Sequence, residues 1–345
     1  MAKIICVGDP HVRTDNIEEF SIFIDRLISL IREEKPDLVC ILGDVLHYHE
    51  RLITPCLNKA CEFISRVRDE CLTYVLVGNH DMISHVEFLS DKHWMNALKE
   101  WKNIVIVDTV KTLEIKGFNF IFCPYVYPGR FIEALETEKK DWKSVDCIFA
   151  HQEFEGCKMG AIISVEGDKW NTEYPSVISG HIHDNQTIKN VYYTGSALQH
   201  SFGENSKKII AIIEFKKGEK EYNLREVNLD LPKKKIIAVD ISDLPDFKIK
   251  KKNELDKIKI SVNGCSEEFK TFKKSKKYKE LVDKGIKIVF KQKRIENKKE
   301  ESEADGDFIS ILSKKIKETK NFDLLQAYEF VVNNKNLEED SLILI

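Results

Sequence analysis

A chain of 345 residues with 42 % hydrophobic and 32 % charged side chains can bury one large core or two or three smaller ones, which excludes a wholly disordered or fibrous protein. No apolar run reaches the ~18 residues of a membrane-spanning helix. The nine cysteines are odd in number and include no C-x-x-C pair, which argues against a disulfide framework or a structural zinc site.

The formal charge of −3 is unevenly spread. Residues 216–300 hold 26 Lys or Arg against 15 Asp or Glu, and the remainder holds 28 against 42. An acidic body with a basic annex suggests cation binding in one part and polyanion binding in the other, beside the plainer reading of lysines on solvated faces.

In chain order, the apolar run Ile4–Val7 meets Gly8-Asp9 too early for a secretory leader and reads as a first strand. A reducing, cytoplasmic setting is therefore expected, with Cys6, Cys40, Cys123 and Cys147 as buried thiols. Phe20, Ile24, Leu27, Ile28 and Ile31 predict a helix over 21–32, ending before Pro36. Leu38–Leu42 and Leu72–Val77 read as strands. Between them Leu57, Cys61, Ile64 and Val67 predict a helix over 54–68. Phe88, Met95, Leu98 and Trp101 predict another over 83–101, and Cys147–Ala150, Val177–Ser179, Ala211–Phe215 and Tyr222–Val227 read as strands.

After Leu231-Pro232 a new unit begins: strand Ile258–Val262, helix Glu267–Lys284, strand Ile286–Phe290. Residues 295–307, IENKKEESEADGD, read as a flexible linker. Beyond it Phe308, Ile309, Leu312 and Ile316, then Leu324, Leu325, Tyr328 and Val331, recur at helical spacing. Two amphipathic helices past a linker suggest a docking element for a partner.

Five apolar strands share one ending. Ile4–Val7 leads to Gly8-Asp9-Pro10-His11, Leu38–Leu42 to Gly43-Asp44 with His47 three residues on, and Leu72–Val77 to Gly78-Asn79-His80-Asp81. Cys147–Ala150 leads to His151, and Val177–Ser179 to Gly180-His181-Ile182-His183. Six of the ten histidines fall in these five places. A lone Asp-Pro-His or His-x-His is an ordinary turn or strand end; five in one register are not. Imidazole, carboxylate and carboxamide donors together suit Mn²⁺, Fe or Zn²⁺ rather than Ca²⁺ or Mg²⁺. Seven donors are too many for one tetrahedral ion and suit two ions sharing a carboxylate, the arrangement used for phosphoester hydrolysis.

These motifs, in this order, resemble the calcineurin-like metallophosphoesterase superfamily over residues 1–215. The resemblance implies an α/β fold: two β-sheets packed face to face, flanked by helices. It implies one divalent ion, most often Mn²⁺, on Asp9, His11, Asp44 and His183, and a second on Asp44, Asn79, His151 and His181, with Asp44 bridging. It also implies His80 as general acid, Asp81 orienting that imidazole or its loop, and His47 positioning the phosphodiester or the acid.

Tyr193-Thr194-Gly195-Ser196 and Ser201-Phe202-Gly203-Glu204, together with His47, are similar to SbcD-type double-strand-break repair nucleases; Gln199-His200 departs from that pattern, which has apolar residues there. The domains implied are a nuclease domain over 1–230, a DNA-binding capping domain over 231–294, a linker over 295–307 and a helical tail over 308–345. The activities implied are 3′→5′ exonuclease on duplex DNA and endonuclease on single strands. The partners implied are DNA, through Lys273, Lys274, Lys276 and Lys277, an SMC-like coiled-coil ABC ATPase of the SbcC type, and a second copy of the chain. A dimetal phosphatase or phosphodiesterase on small-molecule or protein substrates is the first alternative, and a DNA-end-tethering scaffold with incidental hydrolysis the second. His49, His85, His93 and His200 are expected at surface or helix positions.

Overall fold

Side-chain alternation along the first strand decides how the layers stack. The computed structural model describes residues 1–49, 51–138, 141–219, 221–249, 253–292, 308–319, 324–325 and 328. In β1 (Ala2–Val7) Ile4 and Cys6 point to one side and Ile5 and Val7 to the other, and all four are fully buried. A strand buried on both faces lies between two covering layers.

The chain continues with α1 (Ile17–Glu34), β2 (Leu38–Ile41), α2 (Thr54–Glu70), β3 (Thr73–Leu76), β4 (Ile104–Val107), β5 (Lys111–Ile115) and β6 (Phe118–Cys123). Then come α3 (Phe131–Glu138), β7 (Cys147–Ala150), the short hairpin β8 (Lys158–Met159) and β9 (Ile162–Ile163), β10 (Ser176–Ser179), β11 (Gln186–Ile188) and β12 (Val191–Tyr193). β13 (Ile210–Phe215) and β14 (Asn223–Val227) return to the first sheet, whose order is β14-β13-β1-β2-β3-β4; the second sheet has the order β11-β12-β10-β7-β6-β5.

The inner faces of both sheets share one core, in which Ile4, Cys6, Leu38 and Cys40 meet Phe120, Phe122, Phe149 and Ile178. The rings of Phe122 and Phe149 stack at 5.0 Å. The outer face of the first sheet, with Ile5, Val39, Ile41 and Val75, is covered by Phe20, Phe23 and Ile24 of α1 and Phe63 of α2. The outer face of the second, with Ile121, Ile148 and Val177, is covered by Phe131 of α3 and by Trp142 and Trp170. This is the two-sheet sandwich flanked by helices.

β1, β2 and β3 run parallel, as do β7 and β10. Their carboxyl ends therefore fall on one edge of each sheet, and the five motifs leave from those ends.

The segment 83–101 is not the predicted helix. It is irregular, with Met82 bridging His93, until a 3₁₀ helix at Trp94–Glu100. Ser84 and Ser90 side chains accept from the amides of Val86 and Lys92, and local bonds of this kind compete with helix. His93 accepts from Met95 N at the 3₁₀ start and lies 3.3 Å from Asp108; it is buried, not a surface residue.

The annex holds β15 (Lys234–Asp240), β16 (Lys257–Gly264) and β17 (Lys287–Gln292), all parallel. The predicted helix over 267–284 is two: α4 (Ser266–Phe272), capped by Cys265, and α5 (Lys276–Asp283), capped by Ser275, which accepts from Tyr278 N at 3.1 Å. The serine cap is the reason for the break. Ile258, Ile260, Val262, Phe269, Phe272 and Leu281 form the annex core.

Residues Met1–Gln292 form one compact unit and Lys293–Ile345 a second. In the second, α6 (Phe308–Glu318) is helical, as are Leu324, Leu325 and Tyr328. The predicted linker over 295–307, the rest of the tail to 345, and Val331 with it, lie outside the described residues.

Candidate metal centre

The strand-end turns carry backbone strain where the chemistry is. Asp9 (φ 34°), His11 (φ 45°), Asp44 (φ 51°) and His181 (φ 74°) all adopt the left-handed region that side chains with a Cβ avoid. Gly78 and Gly180 are required by close approach: a Cβ on Gly78 would lie 2.2 Å from Asp44 Oδ1, and one on Gly180 would lie 2.6 Å from Asp9 Oδ1.

Two groups of donors result. In the first, Asp9, His11 and His183 converge: His11 Nε2 lies 3.0 Å from His183 Nε2, and Asp9 Oδ2 lies 3.8 Å from His183 Nε2. In the second, Asn79 Oδ1 lies 3.0 Å from His151 Nε2 and 2.9 Å from His181 Nδ1, with Asp44 beside them. Asp44 Oδ2 faces both groups, 3.6 Å from His11 Nε2 and 3.4 Å from His151 Nε2. The seven residues predicted as ligands are thus brought together, with Asp44 in the middle.

The donor set fits cations on an electrostatic argument. His151 Nδ1 donates to the Leu42 carbonyl at 2.6 Å, which leaves the neutral ring's lone pair at Nε2 aimed at two oxygens, Asn79 Oδ1 and Asp44 Oδ2. Acceptors packed this closely need a positive charge among them. Burial pushes the His151 imidazolium down, but Asp44 outweighs it and lifts its pKa to about 9. Asp9 Oδ2 is buried with no hydrogen-bond partner among the described residues, and burial raises that carboxyl's pKa. Burial holds His11 well below the usual imidazole range, which favours the neutral ring with one lone pair for a metal. Edges near 3 Å are those of donors ~2.1 Å from a common centre.

His80 and His47 stand beside the first group; their ligand atoms and that of His11 lie within 4.8 Å of one another. His80 N donates to Asp44 Oδ1 at 2.8 Å, and His80 Nδ1 donates to the His47 carbonyl at 2.6 Å, so Nε2 is the nitrogen left for proton exchange. The His47 ring stacks 5.6 Å from His80, and burial, then Arg13, lowers its pKa to about 4. Asp81 holds the loops and not the imidazole: its carboxylate accepts from Val45 N, Leu46 N, Gly78 N and Trp94 Nε1. Burial first and Asp44 second push its pKa to about 6. Lys273, Lys274, Lys276 and Lys277 lie on the annex at the junction of α4 and α5, with Lys277 3.8 Å from Glu280.

The sequence profile described as calcineurin-like phosphoesterase matches residues 2–185. The chain belongs to the calcineurin-like phosphoesterase family. Two viral relatives are named "Putative phosphoesterase". The one designated 244L, of Invertebrate iridescent virus 6, is 49 % identical over 79 % of this chain and 98 % of its own. The one designated 078R, of Invertebrate iridescent virus 3, is 40 % identical over 93 % and 94 %. Among solved structures, Yfce, a phosphoesterase from E. coli, overlaps 61 % of this chain and 88 % of its own at 12 % identity and a TM-score of 0.33. This calcineurin-like phosphoesterase is accordingly a divalent-metal phosphoester hydrolase, and its His/Asp clusters are the candidate metal sites.

Sequence reasoning missed the outer residues of the phosphoesterase centre. Glu153 lies 3.8 Å from His181 Nε2, and Glu204 lies 3.9 Å from His183 Nδ1. Such carboxylates orient imidazole ligands. Lys208 Nζ, buried, donates to the His183 carbonyl at 3.1 Å and to Ser196 Oγ at 2.7 Å. His200, expected at a surface or helix position, is buried in a loop and donates from Nε2 to the Asp9 carbonyl at 3.0 Å. Glu153 follows His151 by two residues and Glu204 closes the Ser-Phe-Gly-Glu stretch; both were legible as residues but not as partners. A cleft of about 850 Å³ opens at His181 and His183 and is walled by Lys158, Met159 and Asn205.

Proposed function

We propose that this phosphoesterase is a phosphodiesterase acting on DNA: an SbcD-type nuclease with 3′→5′ exonuclease and single-strand endonuclease activity. In this reading Asp9, His11, Asp44 and His183 hold one ion, and Asp44, Asn79, His151 and His181 hold the other. Two divalent ions, Mn²⁺ in this reading, would supply Lewis acidity toward water and neutralise phosphate oxygens.

The observation that carries the reading is His80. Its Nδ1–H is committed to the His47 carbonyl and its backbone N–H to Asp44, so Nε2 is the nitrogen that, in the imidazolium form, hands a proton to a departing oxygen. A sugar alkoxide, the leaving group of a nucleic-acid diester, is a poor one and needs that proton. Asp81 keeps the two loops that carry Asp44 and His80 in register, and His47 backs the acid.

The annex supports DNA as the diester. Its strands sit against the phosphoesterase body, with Lys257 donating to the Asp15 carbonyl and Lys259 Nζ 5.8 Å over the Phe202 ring. Lys273, Lys274 and Lys276 are exposed for phosphate contact. In the same reading the amphipathic tail over 308–345 docks an SMC-like ABC ATPase, and two copies of the chain associate.

One observation favours the rival phosphatase: the cleft of about 850 Å³ at His181 and His183 has room for a whole small phosphoester. The test is the full chain with Mn²⁺ on end-labelled duplex and single-stranded DNA, beside p-nitrophenyl phosphate. DNA cleavage with weak monoester turnover is expected. Efficient monoester turnover without DNA cleavage overturns the nuclease reading.

A further inference from the structure

The annex is fastened to the metal centre through two consecutive buried residues, Gln199 and His200. The Gln199 carboxamide pairs with the backbone of Lys234, at the start of β15, as a neighbouring strand would. Its Oε1 accepts from Lys234 N at 2.8 Å, and its Nε2 donates to the Lys234 carbonyl at 3.0 Å. The same Nε2 donates to the Glu204 carbonyl at 3.1 Å. Lys234 Nζ in turn donates to the Gln199 carbonyl and pairs with Glu19 at 3.2 Å; both of those side chains are buried. Amide, carbonyl and ammonium of one annex residue are thus all committed to residue 199.

His200 carries the connection inward. Its Nε2 donates to the Asp9 carbonyl at 3.0 Å, so the proton sits on that nitrogen. Its ring meets the rings of His11 and His183 edge-on, at 4.9 and 5.2 Å. Its amide donates to Glu204 Oε2 at 2.8 Å, and the other oxygen of Glu204 faces His183 Nδ1. These contacts end on Asp9, His11 and His183, the whole of the first donor group apart from shared Asp44. None of them touches Asn79, His151 or His181 directly; the one link onward is Asp9 Oδ1, which accepts from His181 N at 3.0 Å.

We propose that Gln199 and His200 are positioning residues through which the annex sets the first donor group directly and the second only at one remove, through Asp9. The proposal rests on the two-ion reading given above. Buried polar groups leave no slack: moving β15 without residue 199 strands an N–H, a carbonyl and an ammonium. Displacement of β15 therefore drags Gln199 and, through the next peptide, His200. By linkage, an ion held by Asp9, His11 and His183 tightens β15 in return.

The test is calorimetric titration of the full chain with Mn²⁺, comparing the parent with His200→Ala, His200→Asn and Gln199→Leu, with hydrogen exchange of residues 233–240 measured beside it. Two ions are expected in the parent. His200→Ala should weaken one of them 10- to 100-fold, as removal of such outer partners does, and weaken the other far less. His200→Asn, whose carboxamide N–H can replace the bond to the Asp9 carbonyl, should recover most of the loss. Gln199→Leu should show the same one-sided effect; if it fails to fold, the His200 pair still decides. Mn²⁺ should slow exchange of the Lys234 amide in the parent and not in His200→Ala.

Equal weakening of both ions, loss of neither, or exchange at β15 indifferent to Mn²⁺ overturns the coupling. A parent that takes up one ion refutes the two-ion reading instead, and the coupling then stands or falls on the exchange data.

Discussion

Gly78→Ala adds one methyl group beside Asp44, the carboxylate that faces both donor groups. The new Cβ would lie 2.2 Å from Asp44 Oδ1 and 2.4 Å from Asp44 N. Ordinary C···O contact begins near ~3.3 Å, so the Asp44 carboxylate must shift by about 1 Å. It cannot simply rotate away, because Oδ1 accepts from His80 N and the second clash is with backbone. Asp44 Oδ2 sits 3.6 Å from His11 Nε2 and 3.4 Å from His151 Nε2, so a shift of that size spoils both groups at once and pulls on His80. A misplacement of ~1 Å costs about 10²-fold in rate, and overpacking of this kind costs ~1–3 kcal/mol of stability. The assay is Mn²⁺ titration with hydrolysis of bis(p-nitrophenyl) phosphate, beside thermal unfolding to show that the variant is folded. Both ions should weaken and turnover should fall at least ~10²-fold. Gly203→Ala is the control, since its Cβ would meet only Ser201 Oγ at 4.0 Å, and it should behave as the parent. A folded Gly78→Ala protein with two ions at parental affinity and parental turnover would refute the shared role of Asp44.

His80→Asn should bind Mn²⁺ as the parent does and cleave DNA ~10²-fold or more slowly, with a smaller loss on bis(p-nitrophenyl) phosphate, whose leaving group needs no proton; metal binding lost in calorimetry would make His80 a ligand. Asp108 is a stability case. Burial alone would raise its pKa, but His93 and Lys99 hold it well below the usual carboxylate range. Its contribution is therefore complete above the unfolded pKa of ~4 and fades as pH falls toward the lower folded value. Asp108→Asn should cost ~2 kcal/mol at pH 7, less at a pH near 3, and urea unfolding that shows the same gap at both would contradict the pairing. Replacing Lys273, Lys274, Lys276 and Lys277 with Ser should weaken DNA binding equally across sequences and flatten its salt dependence; an unchanged slope of log affinity against log salt returns them to solvated faces. Deleting residues 301–345 should spare Mn²⁺-dependent cleavage and abolish capture of the ATPase in a pull-down; capture by the shortened chain would reject the docking role.

The sequence alone determined the strand ends that carry the candidate ligands. Asp9, Asp44, Asn79, His151 and His181 each follow an apolar strand through a short turn, and such strands, lying parallel, present their carboxyl ends on one edge. That is local information, carried by strand period and turn chemistry, and it sufficed to place seven donors and His80 together. The helix predicted over 83–101 failed because serine and histidine side chains took backbone groups that periodicity assumes are free, and the helix over 267–284 broke at the Ser275 cap for the same reason. What only the tertiary structure decided is the layer outside the ligands. Glu204 meets His183, His200 meets Asp9, and Gln199 meets Lys234 across 21, 191 and 35 residues of chain. Such contacts have no period, because each depends on how two sheets and an annex pack, and a buried amide or imidazole finds its partner only after the apolar faces have fixed where it stands.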